Sequence, residues 1–295
     1  MQKKIVLAGG TGFIGRYLQK AYGDLGYETI IISRRKEHIQ WSNAAAITKA
    51  LENAAVLINL AGKSVDCRYT QKNKALIFSS REETTRKLGE ALLRCKQPPP
   101  VWINSSTATI YRNAEDRPMT EAEGEIGSGF SVEVGKAWEK SFFSFSLPAT
   151  RQVALRIAIV LGKEGGALVP YTRLARFGLG GPQGNGREMF SWIHIKDMFG
   201  IVRFVETHPL EGIFNASSPT PVQNKEFMHT LRSQVHMPIG LPLPVSLLKV
   251  GAFIIGTSTE LLLKSRWVIP EKLLAAGFKF EFPEIKDALA DLIQK

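Results

Sequence analysis

Short apolar runs alternate with longer amphipathic stretches from the start of the chain to about residue 160. The apolar runs are rich in β-branched residues, and the stretches between them have the periodicity of helices with one apolar face. This alternation is typical of a parallel sheet whose strands are joined by crossover helices. The predicted strands are residues 5–8, 29–33, 55–60, 101–105 and 153–160, and the predicted helices are residues 13–25, 72–94 and 132–145.

After residue 160 the pattern changes, because glycine and proline become frequent. Loops are predicted at 178–186 and 217–221, and the tail at 224–295 mixes helical periodicity with prolines. Phe278, Phe280 and Phe282 alternate as in a half-buried strand, so we predict a packing role for them. The sequence therefore predicts a larger unit of residues 1–162, to which 187–216 return, and a smaller C-terminal α/β subdomain of residues 163–186 and 217–295.

A glycine-rich turn directly follows the first predicted strand. Without Cβ atoms, such a turn bends tightly and approaches a pyrophosphate, whose charge the N-terminus of the next helix stabilises. An ordinary strand-to-helix turn is the alternative, but the strand before it and the helix after it favour an α/β fold with a Rossmann-type doubly wound parallel sheet that binds a dinucleotide. The turn consists of Gly9, Gly10, Thr11, Gly12, Phe13, Ile14 and Gly15, with Gly9, Gly12 and Gly15 at the three glycine positions.

The second predicted strand ends at Ser33, and Arg34 and Arg35 follow it. An acidic side chain at this place would accept hydrogen bonds from the ribose hydroxyls of NAD. Guanidinium groups instead suit the 2′-phosphate of NADP, because they are always charged and bind phosphate through two parallel hydrogen bonds. The sequence therefore predicts NADP(H) rather than NAD(H), with two solvent-facing arginines as the alternative.

Composition narrows the class of protein. The chain has 295 residues, 44% of them hydrophobic, which excludes disordered and fibrous classes. Its two cysteines lie in unrelated contexts, its start has no signal-peptide pattern, and its apolar stretch at 245–256 is too short to span a bilayer. We therefore expect a cytoplasmic protein with no membrane association. The net charge of +11 attracts anions, but the cations are scattered, so a solvated basic surface is preferred to a nucleic-acid interface.

Seven segments resemble the extended short-chain dehydrogenase/reductases, in particular the NAD-dependent epimerase/dehydratase-like subgroup with a C-terminal domain of unknown function. The resemblance covers essentially the whole chain, and the segments together are far more specific than any one of them. They are GGTGFIGRYL from Gly9, INLAG from Ile58, INSSTATIY from Ile103, LRIAIVLGKEGGAL from Leu155, GLGGPQGNG from Gly178, SWIHIKD from Ser191 and IPEKLLAAGF from Ile269.

This resemblance implies further cofactor contacts. Arg81 stands where relatives often carry a cofactor-facing asparagine, and a solvated helix residue is the equal alternative. The other implied contacts are Asn59, Leu60, Ala61 and Gly62 beside the adenosine and its ribose, Ala158 and Ile159 near the nicotinamide, and Ser105 in the nicotinamide pocket.

The same resemblance directs attention to proton transfer. In the wider superfamily a Ser or Thr holds the substrate oxygen, and the lysine of a Tyr-x-x-x-Lys pair lowers the pKa of the tyrosine. Thr107 matches the hydroxyl position, with a local hydrogen bond to the backbone as its alternative. The pair is absent, because Ser131 stands at the tyrosine position and Gly135 at the lysine position. Lys136 is one residue away, which turns it by about 100° on a helix.

Two other side chains are candidates for the missing acid. Tyr111 is the phenol nearest to Thr107 in sequence and is the predicted substitute, and Glu133 is the weaker candidate.

The predicted substrate region also departs from the family pattern. Nucleotide-sugar epimerases usually carry an arginine where this chain has Phe190, so a diphosphate clamp is absent there, although Arg187 lies close in sequence. Met189 and Trp192 flank Phe190, which predicts either a pocket for an apolar or flat ligand or a core strand.

His194 and Asp197 have helical spacing, but two ligands do not make a metal site and Asp197 suits a helix cap, so no metal is predicted.

These observations favour an NADP(H)-dependent oxidoreductase or a nucleotide-sugar-epimerase-like enzyme that acts on a small molecule. The competing hypothesis is an NADP(H)-binding sensor, which the missing Tyr-x-x-x-Lys pair favours. Nucleic-acid binding driven by charge is the third hypothesis and is not predicted. A homodimer is compatible with the sequence, although nothing in the sequence selects an oligomeric state.

Overall fold

A sheet of seven parallel strands forms the centre of the protein in this computed structural model, which describes residues 3–246 and 264–293. The strands are β1 (Lys4–Ala8), β2 (Glu28–Ser33), β3 (Ile39–Gln40), β4 (Val56–Asn59), β5 (Val101–Thr107), β6 (Arg151–Ile157) and β11 (Gly212–Ala216). Their order across the sheet is β11-β6-β5-β4-β1-β2-β3. The chain therefore starts inside the sheet and extends it in both directions, with the order reversing beside β1 and β4.

Helices cover both faces of this sheet, because its central strands are apolar on both sides. Leu18 of α1 and Met198 of α6 pack against Ile5 and Leu7 on one face, and α2, α3 and α4 contribute the core of the other face. This is the predicted Rossmann-type doubly wound fold. The helices are α1 (Phe13–Asp24), α2 (Ala44–Leu51), α3 (Gln71–Leu92), α4 (Phe130–Phe142) and α6 (Ile195–Thr207).

A smaller layer is formed mainly by residues that follow β6 in the chain. The chain leaves the main sheet at Ala158, whose N–H donates to the carbonyl of Ala216 at 3.0 Å, and Ile159 begins a strand of a second sheet. Phe190 stacks on Phe227 in the core of this layer, with ring centroids 4.1 Å apart. The remaining elements are β7 (Ile159–Gly162), β8 (Gly165–Gly166), α5 (Leu168–Leu174), β9 (Met189–Phe190), β10 (Trp192–His194), β12 (Val222–Gln223), α7 (Asn224–Gln234), α8 (Glu271–Ala275) and α9 (Ile285–Ile293).

Three local predictions need correction. The strand predicted at 153–160 is two strands, since the chain changes sheets at Ala158. Strand β3 and helix α2, which together occupy much of residues 39–51, were not predicted from the sequence. Residues 278–282 form no strand, although Phe278 does pack, against Phe204 and Phe280 at centroid distances of 5.4 and 4.8 Å.

No helix within residues 3–246 and 264–293 combines the length and the apolar character needed to cross a bilayer. Most of the apolar stretch at 245–256 lies outside the described residues.

A buried ion pair joins α4 to β6 beneath the carboxyl ends of the central strands. Arg156 donates from Nε to Oε1 of Glu139 and from Nη2 to Oε2, both at 2.8 Å. The two side chains are only 8% and 10% exposed. Ser106 at the end of β5 donates to the same carboxylate at 2.6 Å, and Arg156 also donates to the Tyr111 hydroxyl at 2.9 Å. Each charge is therefore balanced by hydrogen bonds inside the protein.

Removing one partner of this pair leaves a buried charge without compensation. We expect Glu139→Gln to lower the free energy of unfolding by about 3–5 kcal/mol. The matched control is Glu133→Gln on the same helix, because Glu133 pairs with Lys136 at the surface, and its expected effect is below about 1 kcal/mol. Urea denaturation measures both, and equal losses for the two variants would contradict the structural role of the buried pair.

Candidate functional site

A cavity of about 490 Å³ opens at the carboxyl ends of the parallel strands, and we call it the cleft. Open α/β sheets bind ligands at this edge, where the strand order reverses. The apolar lining consists of Phe13, Ile14, Leu60, Val65, Ile77, Phe130, Val134, Trp138, Ile157, Ala158, Ile159, Val160 and Ala167. The hydroxyl-bearing lining consists of Ser64, Ser105, Ser106, Thr107, Thr109 and Ser131.

The glycine turn forms one end of this edge, and its glycines are required by backbone contacts. Gly9 has a φ of +75°, and a Cβ there would lie 2.7 Å from the backbone nitrogen of Ala61. A Cβ on Gly15 would lie 2.5 Å from the carbonyl oxygen of Gly10. The N-cap of α1 is Gly12, which provides no side-chain cap to the first N–H groups of the helix. These N–H groups therefore retain the capacity to bind an anion.

The residues of the turn that carry side chains are half-buried. Phe13 and Ile14 line the cleft, and Thr11 is half-buried beside them.

The end of β2 presents hydroxyl, guanidinium and imidazole groups within one short turn. The buried Ser33 Oγ accepts the N–H of Arg35 at 3.0 Å and lies 3.0 Å from Nδ1 of His38. Arg34 and Arg35 are exposed, and Nη1 of Arg35 lies 3.6 Å from a carboxylate oxygen of Glu37. The structure thus brings the three predicted residues together and adds His38, which sequence reasoning missed because it lies in the turn between β2 and β3.

The corner after β4 is built by Asn59, which is fully buried. Its Nδ2 donates to Oδ1 of Asn104 at 2.6 Å and to Oγ1 of Thr85 at 3.2 Å, while its Oδ1 accepts the N–H of Ala61 at 3.0 Å. Asn59 therefore shapes the backbone of the corner, and the next residue, Leu60, lines the cleft. Gly62 ends the corner against Arg81, whose Cζ would be 3.0 Å from a Cβ at position 62.

Arg81 lines the cleft, which argues against the predicted alternative of a solvated helix residue. Nη1 donates to the carbonyls of Lys63 and Ile77, each at 3.1 Å, and the guanidinium carbon lies 4.8 Å from the centre of the Trp138 ring. Burial lowers the pKa of Arg81 to about 10. Among the described residues that line the cleft, Arg81 is the one ionisable side chain.

Thr107 lies in the cleft, and its hydroxyl is partly engaged. Oγ1 accepts the N–H of Thr109 at 3.2 Å, as the local alternative predicted, which leaves the hydroxyl proton for another acceptor. Ser105 donates to the carbonyl of Asn59 at 2.8 Å and ties the end of β5 to the β4 corner. Ala158 and Ile159 line the opposite side, at the point where the chain changes sheets.

Tyr111 does not reach the cleft, contrary to its predicted role as the acid. The side chain is 1% exposed, and its hydroxyl accepts from Nη1 of Arg156 and donates to Oδ1 of Asn215, both at 2.9 Å. Burial raises the pKa of Tyr111. Its sequence distance to Thr107 was misleading, because the intervening residues 108–110 form a 3₁₀ turn that places the phenol in the protein core. Glu133 is no substitute, since it is exposed and pairs with Lys136 at 3.1 Å.

Helix α4 shows why the usual tyrosine and lysine have no equivalents here. Ser131 lines the cleft, and its Oγ is buried without a hydrogen-bond partner in the described part of the chain. A Cβ on Gly135 would lie 3.1 Å from Cγ2 of Thr107 and 3.4 Å from Cβ of Ile110, so the helix packs too closely for a long side chain. Lys136 points elsewhere and is exposed, as its helical position predicted.

Of the two predictions for the segment around Phe190, an apolar pocket or a core strand, the structure shows the core. Phe190 is 6% exposed and Trp192 fully buried, both in the hydrophobic cluster of the smaller layer, and Arg187 is exposed. The aromatic rings in the cleft are Phe13, Phe130 and Trp138, which the sequence analysis did not single out as a group.

His194 and Asp197 have structural contacts that account for both. Nδ1 of His194 accepts the N–H of Lys196 at the start of α6, its ring stacks on Phe282, and burial lowers its pKa to about 4. Asp197 accepts the backbone N–H groups of Glu281 and Phe282. Within residues 3–246 and 264–293, no cluster of three metal-ligating side chains occurs.

Comparisons with known proteins agree with this architecture. Residues 5–128 match the model of the NAD dependent epimerase/dehydratase family, and residues 243–292 match a domain of unknown function, DUF1731. The epimerase family protein YfhF of Bacillus subtilis is 32% identical, with 98% of this chain and 97% of YfhF covered.

Solved structures extend the similarity to three dimensions. The human epimerase family protein SDR39U1 (isoform 2), crystallised with NADPH, has a TM-score of 0.90 at 30% identity, with 99% of each chain covered. A nucleoside-diphosphate sugar epimerase from Corynebacterium glutamicum has a TM-score of 0.80 at 27% identity, covering 99% of this chain and 58% of that one. The resemblance noted in the sequence is thus confirmed, and the NADPH in the human structure agrees with the cofactor predicted from Ser33, Arg34 and Arg35.

The close contacts at the glycine turn make a stability prediction. We expect Gly15→Ala to lower the free energy of unfolding by about 1–3 kcal/mol, because the new methyl group meets backbone atoms. Gly23→Ala in the same helix is the control, since a Cβ there has no neighbour within 4 Å. That variant should be stabilised by about 0.5 kcal/mol through helix propensity. Thermal and urea unfolding measure both, and effects of the same sign would contradict the packing argument.

Proposed function

Because this chain belongs to the NAD-dependent epimerase/dehydratase family, we propose that it binds NADP(H) at the cleft and is an oxidoreductase for the carbonyl group of a small molecule. One observation carries this proposal: the glycine turn, the arginines after β2 and the Thr107 hydroxyl lie along a single edge of the sheet. The backbone cradle at Gly9 and Gly15, which any Cβ would fill, fits a pyrophosphate. The NADPH in the human SDR39U1 structure supports the choice of cofactor.

The proposed cofactor site follows the edge from β2 to β6. The turn and the first N–H groups of α1 bind the pyrophosphate, and the end of β2 binds the adenosine 2′-phosphate. The corner after β4 lies against the adenosine ribose, with Asn59 holding its backbone. The residues assigned in this way are Gly9, Thr11, Gly12, Phe13, Ile14 and Gly15 for the pyrophosphate, Ser33, Arg34 and Arg35 for the 2′-phosphate, Leu60, Ala61 and Gly62 for the ribose, and Ser105, Ala158 and Ile159 for the nicotinamide.

Thr107 is the proposed partner of the reacting carbonyl. Its hydroxyl proton has no acceptor among the described residues, so it is free to donate to the substrate oxygen and to stabilise the charge that develops there. The bound cofactor supplies the hydride, and a carbonyl compound, NADPH and one proton give an alcohol and NADP⁺. No lining residue titrates near neutral pH, since Arg81 is the one ionisable group in the described lining, so we assign the proton to solvent.

A second candidate function is a sensor that binds NADP(H) without turnover. The observation that favours it lies on α4, where Ser131 and Gly135 stand in place of the tyrosine and lysine that move a proton in the wider superfamily. A nucleotide-sugar substrate is less well supported, because Phe190, at the position of the expected arginine, lies in the core.

The arginines after β2 predict the cofactor preference. We expect wild-type protein to bind NADPH at least tenfold more tightly than NADH, and Arg34→Ala/Arg35→Ala to lose about 10- to 100-fold in NADPH affinity through lost charge-assisted hydrogen bonds. The control, Arg86→Ala/Arg94→Ala, removes two exposed guanidinium groups from α3 and should leave both affinities unchanged. Titration by NADPH fluorescence measures the dissociation constants. Equal binding of the two cofactors by wild type would contradict the assignment.

The Thr107 hydroxyl predicts a loss of turnover. In a panel of carbonyl compounds monitored by NADPH absorbance, Thr107→Ala should lower kcat by about 100-fold without weakening NADPH binding. The wild-type rate should stay flat between about pH 6 and 9, because the described lining holds no group that titrates in that range. Thr84→Ala, whose hydroxyl bonds to the backbone of α3, is the control. Tight NADPH binding with no turnover across the panel would replace the oxidoreductase proposal with the sensor.

A further inference from the structure

Arg81 is held rigidly on the wall of the cleft. Its Nη1 bonds to two carbonyls, one on α3 and one after the β4 corner, and the face of its guanidinium lies on Trp138 of α4. Gly62 leaves room for it, since a Cβ there would lie 3.0 Å from its guanidinium carbon. Two carbonyls and one ring therefore fix the position of the group before any ligand arrives.

In the described part of the chain, the acidic group that acts on this guanidinium is the phenol of Tyr69 and not a carboxylate. The buried Arg156 is matched by the Glu139 carboxylate, whereas the hydrogen bonds of Arg81 go to carbonyl oxygens. Its pKa of about 10 keeps it protonated at neutral pH. A buried cation without a carboxylate partner is unfavourable, and an anionic group that enters the cleft compensates it. Both carbonyl hydrogen bonds use Nη1, so Nε and Nη2 are the donors available for that group.

The surroundings of Arg81 favour a ligand that has one carboxylate group and is otherwise apolar. A phosphate group attracts several cations, but Arg81 is the one cation in the described lining, and a single guanidinium matches one carboxylate. Trp138 contacts the guanidinium, and Phe130 and Val134 of the same helix line the same cleft. Ser131 adds a buried hydroxyl without a partner, on the same helix as Trp138. The proposed site of the cofactor's pyrophosphate is a different one, at the glycine turn and the start of α1.

We propose that Arg81 binds the carboxylate of an apolar monocarboxylate substrate, with Ser131 donating a hydrogen bond to the same group. The inference rests on the proposed function, because it places this substrate next to the nicotinamide half of the cleft. It moves Arg81 from the cofactor site, where the resemblance placed it, to the substrate site.

Two nearly isosteric probes test the proposal, phenylacetate and its neutral amide, phenylacetamide. Each is titrated by calorimetry at pH 7 into full-length protein saturated with NADPH. We expect phenylacetate to bind at least tenfold more tightly than phenylacetamide, and Arg81→Gln to reduce this ratio to less than threefold. Ser131→Ala should weaken phenylacetate by about three- to tenfold, as expected for one hydrogen bond to a charged group. Arg86→Gln, an exposed arginine of the same helix, should leave the ratio unchanged.

The NADPH affinity of every variant is measured first, which separates the possible failures. If Arg81→Gln weakens NADPH binding tenfold or more and leaves the probe ratio intact, Arg81 serves the cofactor and the proposal is wrong. Equal binding of the two probes by wild type also overturns it, and this result needs no variant to fold. If wild type does not bind NADPH, the proposed function fails, and titration of the probes into the cofactor-free protein still decides the role of Arg81.

Discussion

The bidentate pair of Glu139 and Arg156 is the interaction on which the arrangement of the cleft depends. It connects α4 with β6, and through Ser106 and Tyr111 it reaches the end of β5 and the turn that follows. These are the elements that carry Thr107, Ser131 and Trp138. A buried charge network therefore holds together the segments that bound the cleft. Of the hydroxyl groups in the described lining, the one that bonds to this network is Ser106.

The close packing of α4 against the end of β5 explains why the site lacks the tyrosine and lysine of the wider superfamily. Gly135 allows α4 to lie directly on Thr107, so the space that a lysine would fill is occupied by backbone and methyl groups. In place of a titratable pair, the described lining offers hydroxyls, aromatic rings and one guanidinium. Such a site stabilises charge and orients a ligand through fixed donors, and its protonation state changes little near neutral pH.

Much of the fold could be predicted from the sequence, because hydrophobic periodicity and the glycine turn are local signals. The parallel sheet, α1, α3 and α4 follow from them, and the cofactor assignment follows from two arginines at the end of a strand. The roles of Tyr111, Phe190 and Trp192 could not be predicted, since the direction of a side chain depends on the tertiary path of the chain around it. The sequence left Arg81 undecided for the same reason, as Trp138, which lies against it, is 57 residues away along the chain.

At Ala158 the chain passes from the main sheet to the second sheet. Its N–H is bound to the main sheet, whereas the N–H of the next residue, Ile159, donates to the carbonyl of Ser191 in the smaller layer at 3.2 Å. Both Ala158 and Ile159 line the cleft. This part of the cleft wall is therefore built where the two sheets meet, with one of its backbone N–H groups bound to a carbonyl of the main sheet and the next bound to a carbonyl of the smaller layer.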